Sequence, residues 1–347
     1  MGAWYTTRER VMADPDIRVT AYAAPRIDRA IESGSRKVDR LCHVADNGFA
    51  PVAGSRSFPY PNTQNADSGR LWLDQHRLIS LNSMTSGGIT VPVPGNVFLE
   101  PVNSGPPYTY IEINRATSSA LAAGTGTGQR SLVLTGVWGH RADEAAAGTL
   151  ASSPNASTTA VTVDFAAEVG DLLRVDTERL QVVEKSWVTS AQTGSLTAAI
   201  NDQLLAVANG ALFVTGEELL LDAERVKIRD IAGNTLIVQR AWSGSVLAAH
   251  TAATVFWARS LTVVRGAFGT TAAAHTAGAA AVRHVVPGPV EELSRAYALD
   301  AYFQAGSGYA RTVGSGDNVQ NARSRSIADL EQQVYGNYGR MARARAV

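Results

Sequence analysis

Apolar positions near the start of the chain recur every three or four places. Ile27, Ile31, Gly34, Val38 and Leu41 fall on one face of a 3.6-residue period, and charged residues fill the remaining positions. The spacing predicts a helix from Pro25 to Cys42, with the proline in the first turn, where a missing amide donor costs nothing. Before it, Thr6-Thr7-Arg8-Glu9 reads as a capping box in which the Thr6 hydroxyl accepts from the Glu9 amide; it opens a short helix that ends by Pro15. The helical period returns only near the other end. Leu293, Ala296, Tyr297, Ala301 and Phe303 share a face within 290–304, and Ile327, Leu330, Val334 and Tyr338 do so further on. A single stripe cannot be buried alone, so helices from the two ends are expected to pack together.

Between them the period changes to two. Arg56–Pro61 looks extended, and Arg70–Asp74, Leu78–Thr85, Val97–Glu100, Tyr108–Ile113 and Ser131–Trp138 read as strands bounded by glycine and proline. Residues 50–139 therefore form a small antiparallel sheet region. Ala142–Asn155, rich in small residues, reads as a linker or a short helix. Beyond it the chain repeats itself. Leu236–Arg240, Gly244 and Ala249-His250-Thr251-Ala252 return 25 positions later as Leu261–Arg265, Gly269 and Ala274-His275-Thr276-Ala277. A looser pair lies 46 apart: Gly170-Asp171, Leu173, Asp176, Glu178-Arg179 and Val182 match Gly216-Glu217, Leu219, Asp222, Glu224-Arg225 and Ile228. Residues 156–286 thus read as a duplicated all-β insert whose copies stack so that each covers the other. The expected class is α+β: a helical bundle from the N- and C-terminal helices, a small antiparallel β region, and an inserted all-β domain with internal repeats. The expected divisions are 1–145, 156–286 and 288–347.

Composition adds little. The 347 residues are 45% hydrophobic and 18% charged with a net charge of zero, which argues against bulk electrostatic attraction to nucleic acid. The single cysteine, Cys42, ends an apolar stripe and reads as a buried thiol. No leader-like apolar segment follows Met1 and no run approaches ~20 apolar residues, so neither a signal peptide nor a membrane span is expected. Gly124–Gly128 lacks the Lys-Ser/Thr of a phosphate loop and reads as a hairpin turn. His140, Asp143 and Glu144 lack a second histidine or cysteine at ligand spacing, so no metal site is expected. His250 and His275 occupy equivalent places in the repeat, which makes them structural. Trp187, Trp242 and Trp257 are spaced like core residues. No catalytic or cofactor-binding constellation emerges, and the chain is expected not to be an enzyme. Arg340, Arg343 and Arg345, with Arg323 and Arg325 upstream, form a basic end without opposing acids, a composition that equally fits a solvated terminus.

Several segments, in order, resemble the head-to-tail connector (adaptor) proteins of tailed bacteriophages. They are Trp4–Glu9, Pro25–Glu32 with Val38–Cys42, Arg56-Ser-Phe58, Arg70–Asp74, Leu99–Tyr108 with Ile111-Glu112, Thr135–Gly139, and Leu330–Val347. The resemblance covers roughly 1–145 and 288–347; about 150 residues separate Trp138-Gly139 from Val290, where shorter family members pass almost directly into the next helix. It implies a structural virion protein, assembled in the host cytoplasm and placed in the neck. There a ring, usually of twelve copies, joins the portal protein to a stopper or tail-completion protein while DNA passes through its lumen without sequence specificity. On that basis Arg323, Arg325, Tyr335, Tyr338, Arg340, Arg343, Arg345 and Val347 are expected to form an arm that docks on the portal. Arg26, Arg29, Glu32, Arg36, Lys37 and Arg40 are expected on a helix between subunits, and the β insert is expected to face outward as a dispensable passenger. Two alternatives are another tail or baseplate component and a carbohydrate- or receptor-binding β protein.

Overall fold

The computed structural model describes residues 2–14, 24–60, 69–122, 128–306, 312–313, 320–321 and 325–340. Four α-helices lie among them: α1 (Arg8–Met12), α2 (Ala24–Leu41), α3 (Gly288–Gly306) and α4 (Arg325–Tyr338). The expected stripe is the buried face of α2: Ile27, Ile31, Gly34 and Val38 point inward, joined by Ala30, Ser35 and Asp39. Gly34 is the point of closest approach, since a Cβ there would sit 2.9 Å from the Ser294 carbonyl oxygen of α3. Beside it the Ser35 and Ser294 hydroxyls lie 3.2 Å apart, and Ser35 Oγ also accepts from the Tyr5 amide at 3.0 Å. Val38, Cys42, Leu293, Tyr297, Ile327 and Val334 share one buried cluster, so the two ends of the chain do close on each other. Helix α1 is capped by Thr7, whose hydroxyl accepts from the Arg10 amide, and not by Thr6. Glu9 does not reach back to its own cap; it accepts from the Val169 amide at 2.8 Å and pairs with Lys185 at 2.6 Å.

The fold class nevertheless differs from the expectation. The chain is mostly β, its largest sheet has ten strands, and the helices form no bundle of their own. They make a layer laid on sheet, because the cluster that seals α2 against α3 is completed by Leu172 and Ala267 from the β region. The first β body runs from β1 (Val52–Phe58) through β2 (Arg70–Trp72), β3 (Leu78–Ser86), β4 (Ile89–Val91), β5 (Val97–Glu100) and β6 (Tyr110–Ile113) to β7 (Leu132–Trp138). It is a small sandwich. One sheet has the order β1-β7-β3-β4, the other β2-β6-β5, and Phe58, Leu73, Leu78, Met84, Ile111 and Leu134 fill the space between them.

The second β body holds β8 (Glu144–Thr149), β9 (Ala160–Thr162), β10 (Leu172–Val175), β11 (Glu178–Leu196), β12 (Leu204–Ala206), β13 (Glu218–Leu221), β14 (Glu224–Ala232), β15 (Thr235–Gln239), β16 (His250–Val264) and β17 (Ala280–His284). The segment read as a linker or helix supplies β8, which pairs with β17; its alanines and glycine leave room for a close strand neighbour but carry no alternation to announce one. Two units share their strand pairing and register. Leu173 opposite Leu180 in β10–β11 corresponds to Leu219 opposite Val226 in β13–β14. Val161 opposite Leu261 likewise corresponds to Leu205 opposite Leu236. The copies are not consecutive, however. The first copy uses β8, β9, β10, the start of β11, the end of β16 and β17; the second uses the end of β11, β12 to β15 and the start of β16. One copy is nested inside the other, and the 19-residue β11 and 15-residue β16 run through both. Each copy has its own core, around Leu150, Phe165 and Leu261 in one and Leu196, Phe213 and Leu236 in the other. The expected face-to-face stacking of copies is thereby replaced by edge-to-edge continuity.

A matched turn follows the arginine of each copy. Gly266 (φ 58°, ψ 32°) and Phe268 stand in the left-handed region in one; Ala241 (φ 50°, ψ 38°) and Ser243 do so in the other. The second copy thus places an alanine where the first has glycine, in a conformation that a Cβ disfavours. Ala241→Gly should raise the unfolding free energy by up to about 1 kcal/mol in urea melts. Gly266→Ala should lower it, because its Cβ would lie 2.9 Å from the Thr270 carbonyl oxygen.

Candidate functional site

The most concentrated polar chemistry lies inside the β copies. In the second copy, Glu224 is fully buried and accepts from Arg240 Nε at 2.8 Å and Nη2 at 2.9 Å. The amides of Ala241 and Ala248 add bonds of 2.9 Å each, and His250 Nε2 lies 3.0 Å away. The other ring nitrogen of His250 is 2.8 Å from the Asp222 carboxylate. The first copy repeats the arrangement with Glu178, Arg265, Gly266, Ala273, His275 and Asp176 at 2.8–2.9 Å. Each arginine then spends its remaining donors on carbonyls, of Thr197 and Asp202 in one copy and of Asn155 and Thr158 in the other.

Chemically this is a lock. Both histidine nitrogens lie within hydrogen-bond distance of a carboxylate, so the ring has no free nitrogen for catalysis or a metal. The three side chains Asp, His and Glu line up in series instead of converging on a point. Among the described residues no group of three or more His, Cys, Asp or Glu is placed to hold a metal ion. Burial alone would raise the carboxyl pKa of Glu178 and Glu224, but the arginine, the two amides and the histidine hold each down to about 2. A second duplicated pair sits nearby, Glu217 with Arg259 at 2.7 Å and Asp171 with Arg283 at 3.0 Å. The repeat made these positions visible in the sequence, where identical acids, arginines and histidines recur. Their mutual bonding was not legible, because the partners come from segments up to 99 residues apart.

The helix positions singled out from the sequence divide into two groups. Arg26, Arg29, Lys37 and Arg40 are exposed and lie along one side of α2 at spacings of three, eight and three, with Ser33 between them. Arg26 and Lys37 lean over the rings of Tyr302 and Tyr297, at 4.8 and 3.9 Å. Arg36 and Glu32 turn inward. Arg36 bonds Asn47 Oδ1 at 2.7 Å and the Ala3 carbonyl at 2.6 Å, pairing also with Asp39, while Glu32 accepts from the Gly2 amide. They tie the N-terminal segment to the helix. Of the C-terminal positions, Arg323, Arg343, Arg345 and Val347 lie outside the described residues, and Arg325 opens α4. Tyr338 lies against Phe49 and His140, at 5.9 and 5.2 Å between rings, and its carbonyl accepts from Arg77. Tyr335 meets His43, and Arg340 donates its amide to the Cys42 carbonyl at 2.9 Å. As far as Arg340, this end of the chain is docked on its own body.

The remaining candidates are structural. Burial together with Arg77 and Arg141 lowers His140 to about 4, so the ring is neutral and packs as an aromatic. Burial raises the Cys42 thiol to about 11, which leaves it protonated and unreactive at neutral pH. A cleft between Trp4–Thr7 and β17 is flanked by Arg283 and Arg10, whose charges are already answered by Asp171, Glu168 and Glu291. Trp187, Trp242 and Trp257 are partly buried, with a cation over each ring; Trp257 packs against the second core beside Phe213, as its spacing suggests, whereas Trp187 and Trp242 belong to no buried cluster among the described residues. Compared with known protein families, curated proteins and solved structures, the chain matches none.

Glu224→Ala would strand Arg240 and His250 in the interior and should lower stability by about 3–5 kcal/mol, read from chemical denaturation. The acid limb has a definite sign. Carboxyls held at about 2 when folded, against 4.5 when free, give stability that is complete above 4.5 and lost as pH falls through about 2. Asp39 and Asp171, raised to about 6 mainly by burial, act in the opposite sense. Melts across this range should therefore show the loss beginning only below 4.5, and Glu224→Gln should flatten it.

Proposed function

We propose that this chain is a structural virion subunit, a head-to-tail adaptor that assembles into a ring between portal and tail. The observation that carries the reading is the shared core of the two segments bearing the adaptor resemblance. Residues 3–50 and 290–334 contribute Ala3, Tyr5, Val38, Phe49, Val290, Leu293, Tyr297 and Val334 to one buried cluster, although more than 200 positions separate them. A segmented resemblance is worth most when its pieces meet in one body.

The exposed basic row of α2 gives this body a surface with one sign of charge. Arg26, Arg29, Lys37 and Arg40 make no ion pair among the described residues. Such a row suits a neighbouring subunit in a head-to-tail contact, where complementary charge fixes register. Ring formation would not be separable from the β insert. Leu172 and Ala267 complete the terminal core, and Arg8 bonds Glu184 at 2.9 Å while also pairing with Asp28 at 2.7 Å. Removing 156–286 would open that core, so the ring has to be sought with the whole chain. Trp187 and Trp242, partly exposed, favour the receptor-binding alternative more than their spacing does. Lys227 at 4.5 Å and Arg229 at 5.5 Å over Trp242 nevertheless occupy the ring face that a sugar would stack on.

Negative-stain imaging and native mass measurement of the purified full chain should show closed rings. Arg26→Glu combined with Arg29→Glu and Arg40→Glu should dissociate them while leaving the circular dichroism spectrum unchanged. A chain that stays monomeric at all concentrations and in the presence of portal protein would overturn the adaptor reading.

A further inference from the structure

The duplication permits a comparison of one chain with itself. In the first copy, the outer sheet face formed by β10 and the start of β11, with the turn after β16, is covered. Leu172, Gln181 and Ala267 are 8%, 2% and 6% exposed. Leu172 and Ala267 enter the terminal core beside Ala3 and Tyr5, and Phe268 packs against it. Gln181 Nε2 donates to the Gly2 carbonyl at 3.0 Å. The Trp4 ring lies on Gly170, so close that a Cβ there would be 2.6 Å from it. This face of the module is a protein-docking face, and its occupant is the N-terminal segment of the same chain.

The second copy leaves the same face more open among the described residues. Gly216, the counterpart of Gly170, has no atom within 4 Å of its would-be Cβ. Arg225 and Arg229 are exposed, and Lys227, Glu218 and Trp242 are half-exposed. The residues have changed in kind as well. Leu172 is replaced by Glu218, Gln181 by Lys227, Ala267 by Trp242 and Phe268 by Ser243. The apolar contacts that receive Ala3 and Tyr5 are gone. In their place Arg225 and Lys227 stand at alternate positions of β14, on the side opposite buried Val226 and Ile228, and Arg229 follows at a bulge with its guanidinium over Trp242. Trp187 and Trp242 flank them: Arg225 lies 5.7 Å over one ring, and Lys227 and Arg229 lie over the other. Glu218 accepts from Trp242 Nε1 at 2.7 Å, fixing the ring, while Glu9 and Glu168 border the face on the Lys227 side and leave Arg225 and Arg229 exposed.

We infer that this outer face of the second copy, centred on Arg225, Lys227, Arg229 and Trp242, is a docking surface for an acidic protein. The first copy shows that the face receives polypeptide. The three cations at two-residue spacing show that the polypeptide carries carboxylates. The aromatic rings hold the cations in place and add apolar contact area, as anchors of protein interfaces do. The inference does not depend on the ring reading, since the face belongs to one subunit.

The test uses the full chain and three labelled anionic probes: a poly-L-glutamate peptide, a single-stranded oligothymidylate and a sulfated oligosaccharide. Fluorescence anisotropy should show the glutamate peptide binding most tightly, with affinity falling as salt is raised. Arg225→Glu combined with Lys227→Glu and Arg229→Glu should weaken it by about tenfold or more, and Trp242→Ala by a smaller factor. Charge reversal of Arg26, Arg29 and Arg40 on α2 should leave it unchanged. Thermal melts guard against misfolding, and the single variant Arg229→Glu, at an exposed strand position, gives a second reading of the same loss. Unchanged peptide binding in the β14 variants would overturn the inference. So would tighter binding of the oligonucleotide or the oligosaccharide to this face.

Discussion

A buried carboxylate that joins three stretches of chain holds each β copy closed. In the second copy the stretches are near in sequence: Glu224 and Arg240 are 16 residues apart. In the first copy the same bond spans 87 residues, because the whole second copy lies between Glu178 and Arg265. Loop-closure entropy grows only with the logarithm of length, so the longer span costs about 1.5 kcal/mol more. Even that overstates the difference, since β11 and β16 pair along their length and carry the ends of the first copy back together. A module built this way can be interrupted at its distal end without losing its lock. The lock tolerates insertion because its energy is local while its connectivity is not.

Once the first copy is closed, its outer face is what the helices rest on. The N-terminal segment lies between α2 and this face. Tyr5 donates to Asp39 at 2.6 Å, Arg8 bridges Asp28 and Glu184, and the Glu9 carboxylate accepts from the Val169 amide. Trp4, Ile27, Ile31, Val169 and Ala298 share a further small cluster at the same seam. The helices are therefore not a bundle with sheets appended. They are three elements, α2, α3 and α4, that need a sheet face to finish burying their stripes, and the first β copy supplies it. This explains why a chain with a clear helical period at both ends is predominantly β.

Much of this was legible from residues alone. The stripe on α2, the limits of β5 and the alternation of β7 follow from apolar spacing, because each buries one face against a single neighbour. The duplication was legible as well, since buried acids, arginines and histidines leave the same letters at the same spacing. The nesting is written only in the offsets. The glutamate halves match when Glu178 is moved forward by 46, whereas the arginine–histidine halves match when Arg265 is moved back by 25. Consecutive copies would show one offset for both halves. Strand β8 was missed for a different reason: an edge strand of alanines carries its information in what it fails to obstruct. Spacing likewise cannot tell a ring on the core, such as Trp257, from one on the outer face beneath a lysine, such as Trp242.

The two copies also show how an interaction surface changes character while its scaffold stays fixed. Every charged side chain of the lock is kept: aspartate, glutamate, arginine and histidine stand in matching places with matching bonds. The residues that differ most lie on the outer face, where Leu172, Gln181 and Ala267 are set against Glu218, Lys227 and Trp242. Relaxed packing alone would be expected to leave a scatter of small polar residues there. Three cations close together on one strand, beside two ordered aromatic rings, form a pattern, and like charges so close repel one another. Burial lowers the pKa of the Lys227 ammonium, Glu218 pulls the other way, Arg229 adds to the lowering, and Glu9 and Glu168 offset part of it. A strand that holds such charges together does so at a cost to the isolated subunit, and that cost is relieved when an opposite charge arrives.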